Sequence, residues 1–211
     1  MMSDRKHTFE VGEYYHVYNR GVDKKEIVCD EKDLSRFIQS IIEFNSEKNI
    51  GSIFENTFRK NSKTLLGSKA PKLVSIVAYC VNPNHFHLIL SPLVEGGIEK
   101  FMQKIGGYPK YFNEKYKRSG ALFQGKFKSK HVSDNTYLLH LSTYVNMNNR
   151  DKYGKQAFEF SMSSLEEYTQ KIGGICDTSI VLEQFSGNNA YKKFAIESWE
   201  DTLARKEYLE I

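Results

Sequence analysis

Asn82-Pro83-Asn84-His85-Phe86-His87-Leu88-Ile89-Leu90 is the stretch on which the fold turns. A proline between two asparagines predicts a turn. The apolar runs on either side, Leu73 to Val81 and His85 to Ser91, predict the two antiparallel strands of a hairpin. Alternation along a strand sends residues i and i+2 to the same face. His85 and His87 therefore project together, roughly 7 Å apart at the backbone, while Phe86 turns into the core. Two imidazoles from one strand can hold a divalent cation if a third ligand arrives from elsewhere. With six histidines in 211 residues the triplet can also arise by chance, so it needs support from the rest of the chain.

Outward from the hairpin, Glu13 to Asn19 is aromatic and β-branched, closed by Gly21, and reads as another strand. Asp30 to Lys48 carries Leu34, Phe37, Ile38, Ile41, Ile42 and Phe44 at helical spacing, with Asp30 or Asp33 able to cap it. Ile50 to Lys72 is polar and reads as an inserted loop, with room for a short strand at Gly51 to Phe54. Beyond the hairpin, Gly96-Gly97 opens a helix that Gly106-Gly107 and Pro109 should break before it resumes towards Lys117. Leu122 to Val132 predicts a fourth strand, and Asp134 caps a helix ending near Asn148. The order βαββαβ followed by a helix predicts an α+β, ferredoxin-like antiparallel sheet with helices on one face and its first and third strands at the centre. Residues 1–150 would form this domain and 151–211 a helical extension, with segments near 163–170, 180–185 and 190–203.

Forty per cent hydrophobic residues suffice for a core, and no apolar run or leader-like start predicts a membrane span or export, so a cytoplasmic protein is expected. Three dispersed cysteines, Cys29, Cys80 and Cys176, argue against a disulfide framework and a cysteine zinc site. The net charge of +4 is unevenly spread: Phe101 to Val132 holds eight Lys or Arg and a single acid, Glu114, whereas 151–211 holds eleven acids and seven bases. A positive body with an acidic tail suits a polyanionic partner.

His140, Tyr144 and Asn148 recur at intervals of four and line one helix face. A tyrosine whose phenolate is favoured by a cation or base is a usable nucleophile, and an amide oxygen four residues on could bind the same cation. Tyr144 as a packing aromatic and Asn148 as a helix cap account for the spacing equally well. Lys126, Lys128 and Lys130 alternate on the predicted fourth strand and would present three ammoniums to a phosphate backbone. Tyr108, Tyr111, Phe112 and Tyr116 interleave with Lys110, Lys115, Lys117 and Arg118, a pattern shared by single-strand-binding surfaces and by amphipathic helices with a basic outer side.

Together, Tyr15-His16-Val17-Tyr18-Asn19-Arg20-Gly21, Ala78 to His87, Leu122 to Lys128 and Tyr144-Val145-Asn146-Met147-Asn148 resemble, in this order, the single-tyrosine HUH transposases. The branch that includes transposases associated with repetitive extragenic palindromes is the most similar, and the resemblance covers about residues 10–150. It implies a nuclease that cuts single-stranded DNA near a hairpin, leaves a 5′-phosphotyrosine and rejoins strands. It implies Mg²⁺ or Mn²⁺ on His85 and His87, Tyr144 as nucleophile and Asn148 as third ligand; Lys126, Lys128, Lys130, Lys110 and Arg118, read from the alternation and interleaving above, are the expected DNA contacts. The pattern often has His where this chain has Asn146, and Pro where it has Asn149, so His140 competes for the third position. A homodimer is compatible with the resemblance. Other readings are a related nickase for replication initiation, a domesticated hairpin binder that does not cleave, and a zinc hydrolase.

Overall fold

The strands β1 (Tyr15–Arg20) and β3 (His85–Pro92) lie side by side in an antiparallel sheet ordered β4-β1-β3-β2-β5, where β2 is Val74–Val81, β4 Lys128–His131 and β5 Met162–Ser163. This computed structural model describes residues 8–51, 53, 71–150, 154, 156–170 and 172–209, with side chains as far as 203. The inserted loop expected over 50–72, with its short strand, falls almost wholly outside the described residues. Helix α1 (Glu31–Phe44) follows β1, and α2 (Gly97–Ile105) and α3 (Tyr108–Lys115) follow β3. Helix α4 (Asn135–Met147) follows β4. The mixed α and β order is the predicted one, with the helix after β3 broken at Gly106-Gly107 and resumed with Pro109 in its first turn. That proline costs nothing there, because first-turn amides have no helical partner.

Asp30 is the residue that caps α1, accepting from the Asp33 amide at 2.9 Å. Asp134 caps α4 in the same way, accepting from the Tyr137 amide at 2.8 Å. Each cap contributes about 1 kcal/mol and fixes where its helix begins.

The two faces of the sheet bury different cores. Tyr15, Val17, Phe86, Leu88 and Leu90 meet α1, α2 and α3 on one face. Cys80 and Ile89 meet α4 and the extension on the other. One irregularity sorts β2 between them. Ile76 pairs with Leu90 and Ala78 with Ile89, so Val77 is an extra, bulged residue. Beyond the bulge Tyr79 and Val81 turn to the first core and Cys80 to the second.

The fourth strand is shorter than predicted. Over 122–127 the chain loops, because Gly125 takes a left-handed backbone (φ +76°) and Phe123 makes only an isolated bridge to Gly21. Lys126 therefore lies before β4, and only Lys128 and Lys130 share a strand face.

The extension holds β5, α5 (Leu165–Thr169), α6 (Ser179–Leu182) and α7 (Asn188–Leu209), close to the predicted segments. Strand β5 was not predicted: Ser163 pairs with Cys80 and Met162 with Val81. Tyr168 donates to the Val77 carbonyl at 2.7 Å, and its ring packs on Tyr191 of α7 at 4.7 Å. Trp199 and Tyr191 join the same core as Val145 and Met147 of α4. Among the described residues, no helix is long and apolar enough to cross a membrane.

Candidate active site

The pairing register sets the floor of the site. Lys128 lies opposite Tyr18, which lies opposite His87, which lies opposite Cys80. One step along, Lys130 faces His16, and one step the other way Arg20 faces His85. These side chains share the sheet face that α4 covers, because alternation leaves them no other. The helix thus brings Tyr144 over the histidine pair from within the same chain.

The rings of His85 and His87 are nearly perpendicular (85°), with centroids 5.1 Å apart. The Tyr144 ring stands edge-on to His87 at 5.5 Å. One turn on, Asn148 Oδ1 lies 2.9 Å from His85 Nε2. Asn82 Nδ2 donates to the same Oδ1 at 2.8 Å and so fixes which end of the Asn148 amide faces the histidine. His85 Nδ1 lies 2.6 Å from Asn84 Oδ1 and its Nε2 3.0 Å from Asn82 Nδ2, an arrangement that suits a proton on Nδ1 and a lone pair on Nε2.

His16 was passed over in the sequence, where nothing local distinguishes it. Its Nε2 lies 2.9 Å from His87 Nδ1, and only 8% of the residue is exposed. Burial, reinforced by the Lys130 charge, pushes the His16 pKa down to about 4. A neutral His16 can accept from His87 Nδ1–H, which leaves His87 Nε2 as the nitrogen with a lone pair.

Burial raises the Tyr144 pKa above that of free tyrosine, while a hydrogen bond to Asn148 opposes the rise. The phenol is therefore protonated at neutral pH. Its surroundings include Trp199 of α7, whose ring lies 6.5 Å away. The cavity in front of it has a volume of about 620 Å³ and is lined by Arg20, His85, His87, Lys128, Tyr144 and Asn148 among others.

Two imidazole nitrogens and an amide oxygen are donor types that suit a first-row divalent cation. Two ligand atoms in adjacent positions around a six-coordinate ion with bonds of about 2.1 Å stand about 3 Å apart. That is the separation of His85 Nε2 and Asn148 Oδ1. Among the described residues no cluster of three His, Cys, Asp or Glu side chains is suited to a metal, so a cation on this histidine pair would need a ligand of another kind, such as the Asn148 amide oxygen. His140 is not part of it: its ring packs on Phe194 of α7 and its Nδ1 lies 3.4 Å from Ser198 Oγ.

The basic residues are divided. Lys128 lines the cavity, and Lys130 sits 4.7 Å over the Tyr137 ring. Lys126 is exposed on the loop before β4. Lys110 and Arg118 belong to the other layer, Lys110 4.0 Å from Glu114 and Arg118 over the Phe112 ring at 5.7 Å. The aromatic residues around them are divided too, Tyr116 staying 37% exposed and Tyr111 half-buried. Tyr108 and Phe112 are core, and Tyr108 donates to the Ile27 carbonyl at 2.6 Å. Tyr111, Lys115 and Tyr116 converge on the buried Asp33 carboxylate, at 3.1, 2.6 and 2.7 Å.

Asn146, one of the departures in the tyrosine motif, is fully buried and ties α4 to the extension. It donates to Tyr191 Oη at 2.7 Å, and Ser164 Oγ donates to its Oδ1 at 2.5 Å.

The family model described as "Transposase IS200 like" matches residues 14–148. A solved structure described as "Structure of the REP associates tyrosine transposase bound to a REP hairpin" superposes with a TM-score of 0.52 at 15% identity, over 85% of this chain and 97% of that one. No curated protein matches the chain.

Proposed function

The chain belongs to the IS200-like transposase family, and on that footing we propose that it binds single-stranded DNA carrying a hairpin, cuts it through a tyrosyl intermediate and rejoins the ends. The observation that carries this reading is the placement of Tyr144 beside His87, with Asn148 against His85, in one cavity built by one chain. Residues up to 150 would carry the chemistry, and 151–211 would buttress the tyrosine helix.

Tyr144 Oη attacks the scissile phosphorus. A bond forms from the phenol oxygen to the phosphorus of the 5′ end and the bond to the 3′ oxygen breaks. The phenol proton leaves to solvent, and the departing 3′ oxygen takes one up to become a hydroxyl. Because the phosphodiester energy is kept in the tyrosyl link, a later 3′-hydroxyl can rejoin DNA without a nucleotide cofactor. His85, His87 and Asn148 would hold Mg²⁺ or Mn²⁺, which when bound polarises a non-bridging phosphate oxygen and offsets developing charge. His16 and Asn84 orient the two imidazoles, as outer partners of metal-bound histidines do. Lys128 and Lys130, with Lys126 beside them, hold the strand. Lys110 and Arg118, on the far layer, would meet only DNA outside the cut site.

Labelled stem-loop DNA with unpaired flanks, incubated with the protein and Mn²⁺ or Mg²⁺, should give a protein–DNA species that survives denaturation. Tyr144→Phe should abolish that species and keep DNA binding. An adduct that persists in Tyr144→Phe excludes Tyr144 as the nucleophile.

A further inference from the structure

Phe158 is a large apolar side chain left 48% exposed, yet it lines the same cavity as Tyr144. It is also firmly held. Its amide donates to the Asn149 carbonyl at 2.7 Å, Ser161 Oγ donates to its own carbonyl at 2.5 Å, and the neighbouring Ala157 bridges to Arg150. The backbone that carries this ring is thus tied to the end of the tyrosine helix, immediately after Asn148. The cavity it borders is cationic, with Arg20, Lys128 and Arg150 in its lining. A smaller cavity of about 390 Å³, beyond Phe158 and also reaching His85, is lined instead by Glu26 and Glu159. Phosphates are drawn to the first cavity and repelled from the second. A strand whose phosphates are held at Arg20 and Lys128 finds this half-exposed ring in the same cavity, at its border with the acidic one.

We propose that Phe158 is a stacking platform for one unpaired base next to the scissile phosphate, so that the extension contributes directly to binding single-stranded DNA. This rests on the reading of the site given above. Stacking of this kind tolerates any base, because every base has a π-face.

The test uses full-length protein in the Tyr144→Phe background and a DNA stem-loop with unpaired flanks, in which 2-aminopurine is walked through the flank positions. Binding should quench the fluorophore at one position. Adding Phe158→Ala should remove that quenching and weaken binding by about 5- to 150-fold, the range found for loss of one base–aromatic stack. Phe158→Trp should retain both, and Phe158→Leu should lose the quenching. Unchanged affinity and quenching in Phe158→Ala, or no quenched position in protein that binds the DNA, overturns the platform alone. Failure of the Tyr144→Phe protein to bind the DNA at all overturns both the platform and the reading it rests on.

Discussion

Replacing His16 with alanine tests whether the second imidazole of the pair is oriented from behind. The mutation removes a buried partner 2.9 Å from His87 Nδ1 and leaves Tyr144, His85 and Asn148 in place. Without that partner His87 can exchange its ring proton between the two nitrogens and can turn about its side-chain bonds. Loss of such an outer partner typically costs 10- to 100-fold in metal affinity, or about 1.4 to 2.7 kcal/mol. The assay is Mn²⁺ titration followed by electron paramagnetic resonance, in the absence of DNA, so that it reads the site rather than turnover. Nitrogen-15 shifts of His87 report the tautomer in the same samples. Wild type should show His87 protonated at Nδ1, and His16→Ala should show a mixture. His16→Gln, whose amide oxygen can accept the same hydrogen bond, should recover most of the affinity, whereas His16→Leu should not. Equal Mn²⁺ affinity in wild type and His16→Ala, both folded, would refute the reasoning.

Acid should destabilise the protein through the same residue. His16 stays neutral in the fold down to about pH 4, whereas in the unfolded chain it takes a proton near 6.5. Its contribution, up to about 3 kcal/mol, is complete above pH 6.5 and is lost as pH falls towards 4, so urea midpoints should drop across that window in wild type and less in His16→Gln. Asn146→Ala breaks two buried hydrogen bonds, to Tyr191 and Ser164, and should cost about 2–4 kcal/mol in denaturant unfolding. Lys128→Ala should weaken single-strand binding and reduce the slope of log affinity against log salt by about 0.7, measured by fluorescence anisotropy.

Much of the site is legible in the sequence because it follows from local periods. His85 and His87 share a face by strand alternation, and Tyr144 and Asn148 share one by helical spacing. That the two pairs meet depends on β3 lying mid-sheet under α4, which the element order implies. His16 was not legible, because its bond to His87 depends on a register between strands about seventy residues apart. Phe158 and Trp199 were hidden for a similar reason, since only the docking of the extension carries them to the cavity. The aromatic series from Tyr108 to Tyr116 was ambiguous because its spacing fits an inward face as well as an outward one, and Tyr108 and Phe112 turn inward while Tyr116 stays exposed. Asp33, a buried carboxylate in need of donors, takes hydrogen bonds from Tyr111, Lys115 and Tyr116. The fourth strand was overestimated because a single glycine at positive φ ends its pairing early.

The bulge in β2 makes Val77 a mooring post. Deleting any later residue of that strand would turn everything beyond it inside out, whereas deleting Val77 would leave each cross-strand partnership as it stands. What such a deletion would remove is the carbonyl to which Tyr168 is tethered. One surplus residue, silent in the ladder, is thus one of the points, beside β5, where the last quarter of the chain makes fast to the sheet.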